Sequence, residues 1–434
     1  MSAQELLARI EEMERQTGDP KQLEHNRVLL RRQLNALRDP VTRLPLEIAS
    51  EIFVQCLPLE PPRALPAETP ALFLGVCNSW STLVSSIPAL WSKIHIEFPC
   101  SEDFQAVLER WFKRAGTHPL HIYLDGPLDA AIAAFVWRSS DQLERLEIST
   151  AGEAEEEEEE EEGDEEDREL VFRELLAGTQ PEALPLLQAL KITGCVGVFS
   201  RLPILHLLRV SPALADLSFH DLELVDGDDD DEDEVPQEVV VLPELRRLVY
   251  GRDKLALSDK YKLLKFISAP LLESFTLEAS ASHANVTSFL QRSSPPLQEL
   301  VIGDAGDLEQ LEDFLSLTPS VTRLEINWLA RTEELFAILA GSPSVLSGLQ
   351  TLELSYTDRM PVDDSFVRAS ETRSNQLRRF VLTYRFRLVA ANAARASEIL
   401  GALRGLVASG MDISIGRVDG PQIDLNELVS GQDL

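Results

Sequence analysis

One short phrase returns nine times after residue 143: an apolar residue, two others, an apolar residue, one other, and a third apolar residue. The copies are Leu143/Leu146/Ile148, Leu187/Leu190/Ile192, Leu214/Leu217/Phe219, Leu245/Leu248/Tyr250, Leu272/Phe275/Leu277, Leu297/Leu300/Ile302, Val321/Leu324/Ile326, Leu349/Leu352/Leu354 and Leu377/Phe380/Leu382. Their central residues stand 44, 27, 31, 27, 25, 24, 28 and 28 positions apart. A unit this short cannot bury its own apolar face, so it has to stack on its neighbours. The alternation at the end of the phrase suits a strand, and the rest of each period leaves room for one return segment. Helical patterns over 307–317, 332–339 and 393–406 supply apolar residues to pack behind such strands. The expected fold class is an α/β repeat, a solenoid with a parallel sheet.

The phrase and its period resemble leucine-rich repeats. The asparagine that follows the phrase in the most regular members of that family is missing, which implies irregular repeats. In this arrangement the phrase leucines point inward, and the residues between and just after them point outward on the concave face. The resemblance therefore implies a target-binding surface built from Arg145, Lys191, His220, Arg247, Glu278, Glu299, Arg323, Glu325, Asn327, Glu353 and Arg379. Their mixed charge suits a specific protein or peptide. At the front, 118–124 is expected to enter the array as its first strand, and period-two alternation accounts for His118 and His121 better than metal ligation does. At the back, a helix over 393–406, a stop at Gly410 and a strand over 411–418 form the last unit, with fraying beyond Gly420.

The N-terminal 98 residues have a different pattern. Two short helices are expected at 4–16 and 21–39, separated by Gly18-Asp19-Pro20, where Asp19 caps and Pro20 opens the second. In that second helix Leu23, Leu30, Leu34, Leu37 and Val41 keep heptad spacing, with Arg27 at one seam position. Either a short dimerising coiled coil or a single helix laid against the next module satisfies this. From residue 42 to 98, Ile48, Ile52 and Phe53 make one apolar helical face, Pro58, Pro61, Pro62, Pro66 and Pro70 mark a loop, and a second helical stretch spans 72–87. Val76 and Trp80 lie on its apolar side, and Pro88-Ala89-Leu90-Trp91 closes it.

Over these fifty or so residues the chain resembles the F-box, the helical module that attaches substrate receptors to the Skp-type adaptor of cullin ubiquitin ligases. The matching residues are Leu44-Pro45, Glu47-Ile48, Ile52-Phe53, Val76-Cys77 with Trp80, and Pro88 with Leu90-Trp91. The proline-rich insertion and the preceding helix are similar to F-box-like proteins abundant in mushroom-forming fungi. Asn78 stands where that family often has Arg, and the insertion lengthens the link between the helices. The resemblance implies adaptor binding through Leu44, Pro45, Ile48, Ile52, Phe53, Val76, Trp80, Leu90 and Trp91. Read from the residues alone, Leu44, Pro45, Ile48 and Trp80 serve equally as interface or as the module's own core.

The formal net charge of −33 is concentrated in two runs, with thirteen acidic groups in 153–167 and eight in 226–234. Runs this dense stay extended, so disordered insertions are expected at about 151–168 and 226–238, available to a basic protein. The acidic balance argues against a nucleic-acid backbone as partner, since that needs clustered Lys and Arg. Four scattered cysteines give no disulfide framework, and no apolar run is long enough to span a membrane, so a cytoplasmic or nuclear setting is expected. No nucleotide-binding, hydrolase or zinc-protease motif occurs, and the expectation is a non-enzyme with no cofactor. The leading expectation is a substrate receptor: 42–98 docks the adaptor of a cullin complex, while 99–434 holds a target protein. The alternative is a stand-alone acidic scaffold or chaperone for basic proteins.

Overall fold

The computed structural model describes residues 3–15, 20–101, 103–150, 172–173, 175–194, 198–220, 223–225, 239–251, 262–280, 283–304, 311–327, 332–342, 344–356, 364–384, 401, 404–408, 410–417 and 422–424. The two acidic runs and most of 393–406 lie outside the described residues. The chain divides into one unit of Met1–Glu161 with Leu175–Leu186 and a second of Glu162–Glu174 with Leu187–Leu434.

The first unit opens with α1 (Ala3–Glu14) and α2 (Pro20–Arg38), with Leu6 and Ile10 of α1 buried. Helix α2 lies against the module that follows. The Arg32 guanidinium donates to the Leu74 carbonyl at 3.1 Å, and the Asn35 amide donates to that of Val76 at 3.0 Å. Of the arrangements open to this helix, the one seen within the chain is the helix laid on its neighbour. The module is built from α3 (Leu46–Gln55), α4 (Ala71–Val76) and α5 (Asn78–Ser85). The stretch 72–87, expected as one helix, is therefore two. Cys77 breaks it by taking an extended conformation, φ −158° and ψ 171°, and its Sγ accepts the Trp80 N–H at 3.5 Å as the cap of α5. The apolar period runs straight through this break, which hides it from a periodicity argument. Phe53, Phe73 and Trp80 then lock the three helices together, with ring centroids 4.9, 5.1 and 6.0 Å apart.

A parallel sheet follows: β1 (Lys93–Glu97), β2 (Leu120–Asp125) and β3 (Leu143–Ser149). Its inward rows are Ile94, Ile122 and Leu146, then Ile96, Leu124 and Ile148, all of them buried. The entering strand is thus β1, one strand earlier than 118–124, and the helical module ends before Lys93, not at Phe98. Ile94 and Ile96 alternate cleanly with Lys93, His95 and Glu97, but they follow the helical closure so closely that they read as part of it. Helices α6 (Phe104–Ala115) and α7 (Ala130–Trp137) link these strands. Asp129 caps α7 by accepting the N–H groups of Ala131 and Ile132 at 2.8 and 3.0 Å.

The second unit repeats the strand and its return segment. In chain order its elements begin with β4 (Phe172–Arg173), β5 (Ala189–Thr193), β6 (Val198–Ser200), α8 (Arg201–Arg209), β7 (Asp216–His220), β8 (Glu223–Val225), β9 (Val240–Val241) and β10 (Arg247–Tyr250). They continue with β11 (Ile267–Ser268), β12 (Ser274–Ser280), α9 (His283–Ser293), β13 (Glu299–Asp304), α10 (Leu311–Ser316), β14 (Arg323–Ile326), α11 (Thr332–Gly341) and β15 (Thr351–Tyr356). Then come α12 (Asp364–Thr372), β16 (Arg379–Tyr384), β17 (Asp412–Arg417) and β18 (Gln422–Asp424). Strands β5, β7, β10 and β12 to β17 form one parallel sheet in that order, and β18 closes it antiparallel. The small sheets β4-β6-β8 and β9-β11 are also parallel and belong to the return segments.

The central residues of the phrases stand in one row across this sheet: Leu190, Leu217, Leu248, Phe275, Leu300, Leu324, Leu352, Phe380 and, extending the series, Ile413. None is more than 1% exposed. Spacing between copies varies, yet the join between turns does not. The carbonyl just ahead of each strand, at Gln188, Ala215, Arg246, Glu273, Gln298, Thr322 and Gln350, accepts two N–H groups from the next turn at 2.8 to 3.0 Å. Variation in length is taken up by the return segments, where an extra loop residue costs little.

Two arginines fasten those segments. Arg373, 4% exposed, donates to the carbonyls of Leu339, Ser342, Val345 and Leu346 at 2.9, 2.9, 2.8 and 3.3 Å. Arg292 does the same for Leu264 and Ile267 at 2.5 and 2.7 Å. Of the carbonyls bound by Arg373, those of Ser342 and Leu346 also accept backbone N–H groups, from Val345 and Leu349.

Candidate protein-binding surfaces

Helix α3 carries apolar residues at 48, 49, 52 and 53, and at 3.6 residues per turn these form two adjacent stripes. Ala49 and Phe53 turn into the module and are each 1% exposed. Ile48 and Ile52 turn outward, 52% and 41% exposed, and Leu46 and Leu44 beside them are 55% and 39% exposed. Pro45, also exposed, precedes the first turn of α3 with φ −54° and ψ 148°. Leu46 is an addition to the expected set; it belongs to the same Leu-Pro-Leu start and is the most exposed of the four.

The other residues expected at the adaptor surface divide. Leu90 and Trp91 are fully buried, and Val76 and Trp80 are half-buried. Trp91 has a full set of internal partners. Its indole N–H donates to the Val84 carbonyl at 2.9 Å, its ring meets Trp111 of α6 edge-on at 4.8 Å, and the Arg114 guanidinium sits 4.4 Å over its face. Phe53, Leu90 and Trp91 are therefore core residues of the first unit. Leu44, Pro45, Ile48 and Ile52, with Leu46, form its exposed apolar surface.

The second surface is the open face of the sheet. In the first unit Arg145 stands 3.8 Å from Glu147, and His121 Nε2 stands 2.8 Å from Glu144. Burial and the Glu147 carboxylate push the Tyr123 phenol above its ordinary pKa. In the second unit, register aligns Asp216, Arg247, Ser274, Glu299, Arg323, Thr351, Arg379 and Asp412 in one outward row. The next row is Lys191, Ser218, Val249, Thr276, Val301, Glu325, Glu353, Val381 and Ser414.

Four expected residues converge here. Arg323 lies 3.2 Å from Glu299, 3.3 Å from Glu325 and 3.4 Å from Glu353. Glu325 and Glu353 are direct neighbours on adjacent strands, an arrangement unfavourable for like charges. Burial, followed by the Glu353 charge, raises the Glu325 carboxyl above the usual carboxylate range, against the pull of Arg323.

Arg247 and Arg379 sit apart from this cluster, 3.8 Å from Asp216 and 3.9 Å from Asp412. Lys191 and Glu278 are exposed; His220 and Asn327 are half-buried, and the Asn327 N–H extends the ladder to the Ile302 carbonyl at 2.8 Å. His220 lies against Gly251, where an added Cβ would come within 1.9 Å of its Nδ1, so a larger residue there requires the imidazole to move. Val249 and Val381 are buried on this face; being apolar, they fall outside a search for polar contacts.

Among the described residues no group of three or more His, Cys, Asp or Glu is placed to hold a metal ion, and no helix is long and apolar enough to cross a membrane. No protein-family model and no curated protein matches the chain.

Proposed function

We propose that the chain is the substrate-recognition subunit of a Skp/cullin/F-box ubiquitin ligase, with the helical module docking the Skp-type adaptor and leucine-rich repeats binding the target protein. The observation that carries this reading is the uncovered apolar set Leu44, Leu46, Ile48 and Ile52 at the start and on one side of a helix whose adjacent stripe, Ala49 and Phe53, is fully packed. Contiguous exposed apolar side chains are unfavourable in water, and a partner helix that covers them supplies binding energy through a few buried anchors. The target is held by the outward rows of the sheet, and ubiquitin transfer belongs to other subunits of the complex. The test is capture of a recombinant Skp-type adaptor by the purified chain. Leu44→Ala with Pro45→Ala is expected to abolish capture while leaving the melting temperature close to that of the parent; undiminished capture would refute the proposal.

A second reading, a stand-alone acidic scaffold for basic proteins, draws on the two acidic runs and on the negative cluster around Arg323. It is favoured if histones are retained without adaptor and released by salt.

A further inference from the structure

Strand β1 is the terminal strand of its sheet, and a terminal strand offers its outer N–H and C=O groups to any chain that can lie beside it. On β1 the inner side is engaged with β2, as the His121 N–H bonded to the Ser92 carbonyl at 2.8 Å shows. Lys93, His95 and Glu97 turn their backbone groups to the outer side. The proline-rich insertion between α3 and α4, expected as a loop, runs along that side. Arg63 pairs with His95 as a parallel bridge, and the His95 N–H donates to the Pro62 carbonyl at 2.9 Å.

One ion pair ties the insertion to β1, and one hydrogen bond within the insertion holds Arg63 in place. The Arg63 guanidinium lies 2.8 Å from the Glu97 carboxylate, and the Arg63 N–H donates to Glu68 Oε2 at 3.1 Å. Its sequence suits the position. Pro61 and Pro62 have no N–H, so the segment supplies a carbonyl to His95 but offers no donor at these residues for a further strand. Prolines also hold the segment extended before it docks, which lowers the entropy lost on docking.

We infer that this insertion is the cap of the strand array, covering the edge of β1 so that a second copy of the chain cannot add its own β1 there. A cap of this kind is a general need of stacked repeats, whose end units would otherwise expose a face or edge built for another repeat. The inference is independent of adaptor binding, which involves α3.

The test replaces residues 58–66 by a glycine-serine segment of equal length, with Arg63→Glu as a second variant that sets a carboxylate against Glu97 and Glu68 without altering the chain trace. Circular dichroism confirms that each variant keeps the parent's fold. Amide exchange at His95 is expected to quicken by about tenfold or more in both. The mass seen by light scattering is expected to rise with concentration in the replaced variant and to stay constant in the parent. Unchanged exchange at His95 would overturn the cap, as would rapid exchange in the replaced variant with a mass that matches the parent at every concentration.

Discussion

Apolar side chains meet opposite fates in the helical module and in the strand array. Along the array every central leucine or phenylalanine is covered by the turns on either side of it, and exposure falls to 1% or less. Along α3 the sequence also places apolar residues in two stripes, but among the described residues only the Ala49 and Phe53 stripe is covered. In the array a leucine reports on folding, because its partners are supplied by the repeat itself. On α3 the Phe53 stripe reports on folding, and under the proposed function the Ile48 stripe reports on association.

The largest effect that tests this contrast is a cavity in the array. Leu324→Ala removes a fully buried side chain from the middle of the sheet and is expected to cost about 3 to 4 kcal/mol, read as a lower urea midpoint with an unchanged slope. A loss below about 1 kcal/mol would show that the array closes over the gap and that its packing is loose.

Next in size is Arg373→Met. The thioether keeps much of the aliphatic contact but removes the guanidinium bonds to four carbonyls, of which Ser342 and Leu346 keep a backbone donor, for an expected loss of about 2 to 3 kcal/mol. Smaller again is Ile48→Ala with Ile52→Ala, expected to change stability by less than about 1 kcal/mol because both side chains already face water. Under the proposed function the same double variant loses retention of the adaptor by about tenfold or more. A large drop in stability would instead make the outer stripe part of the fold and remove the contrast.

How far the sequence revealed each region follows from the same physics. The array was readable because burial there is periodic: nine copies in phase fix the strands, and Leu300, Leu324 and Leu352 then fall into register. Superposing the copies on those leucines also brings Glu299 and Arg323 into one row and Glu325 and Glu353 into the next, so the charged cluster is recoverable from sequence. The helical module is harder because the apolar residues of α3 do not declare which stripe is covered. Trp91 resembled an anchor and is core, since its partner Trp111 lies twenty residues away in an element that local pattern does not connect to it. The break at Cys77 and the arginine fastenings depend on backbone groups, to which a hydrophobic pattern is blind. Strand β1 carries a full alternation, but it adjoins the helical closure, which conceals it.

The smallest expected effect concerns charge on the open face, where burial is partial. Glu325 binds its proton more tightly in the folded chain than a free carboxyl does, because burial and Glu353 oppose ionisation. Its protonated form therefore favours folding. That contribution is complete below the ordinary carboxylate pKa and is lost as the pH rises through the raised one. Glu325→Gln cannot ionise, and Arg323 keeps Glu299 and Glu353 as partners. The variant is expected to be more stable than the parent by about 0.5 kcal/mol at neutral pH, with the difference vanishing as the pH falls into the ordinary carboxylate range. Urea unfolding of both proteins at a series of pH values measures the difference. A variant less stable than the parent at neutral pH would mean that the Glu325–Arg323 pair outweighs the repulsion from Glu353, making the cluster a stabilising network and not a locally unfavourable one.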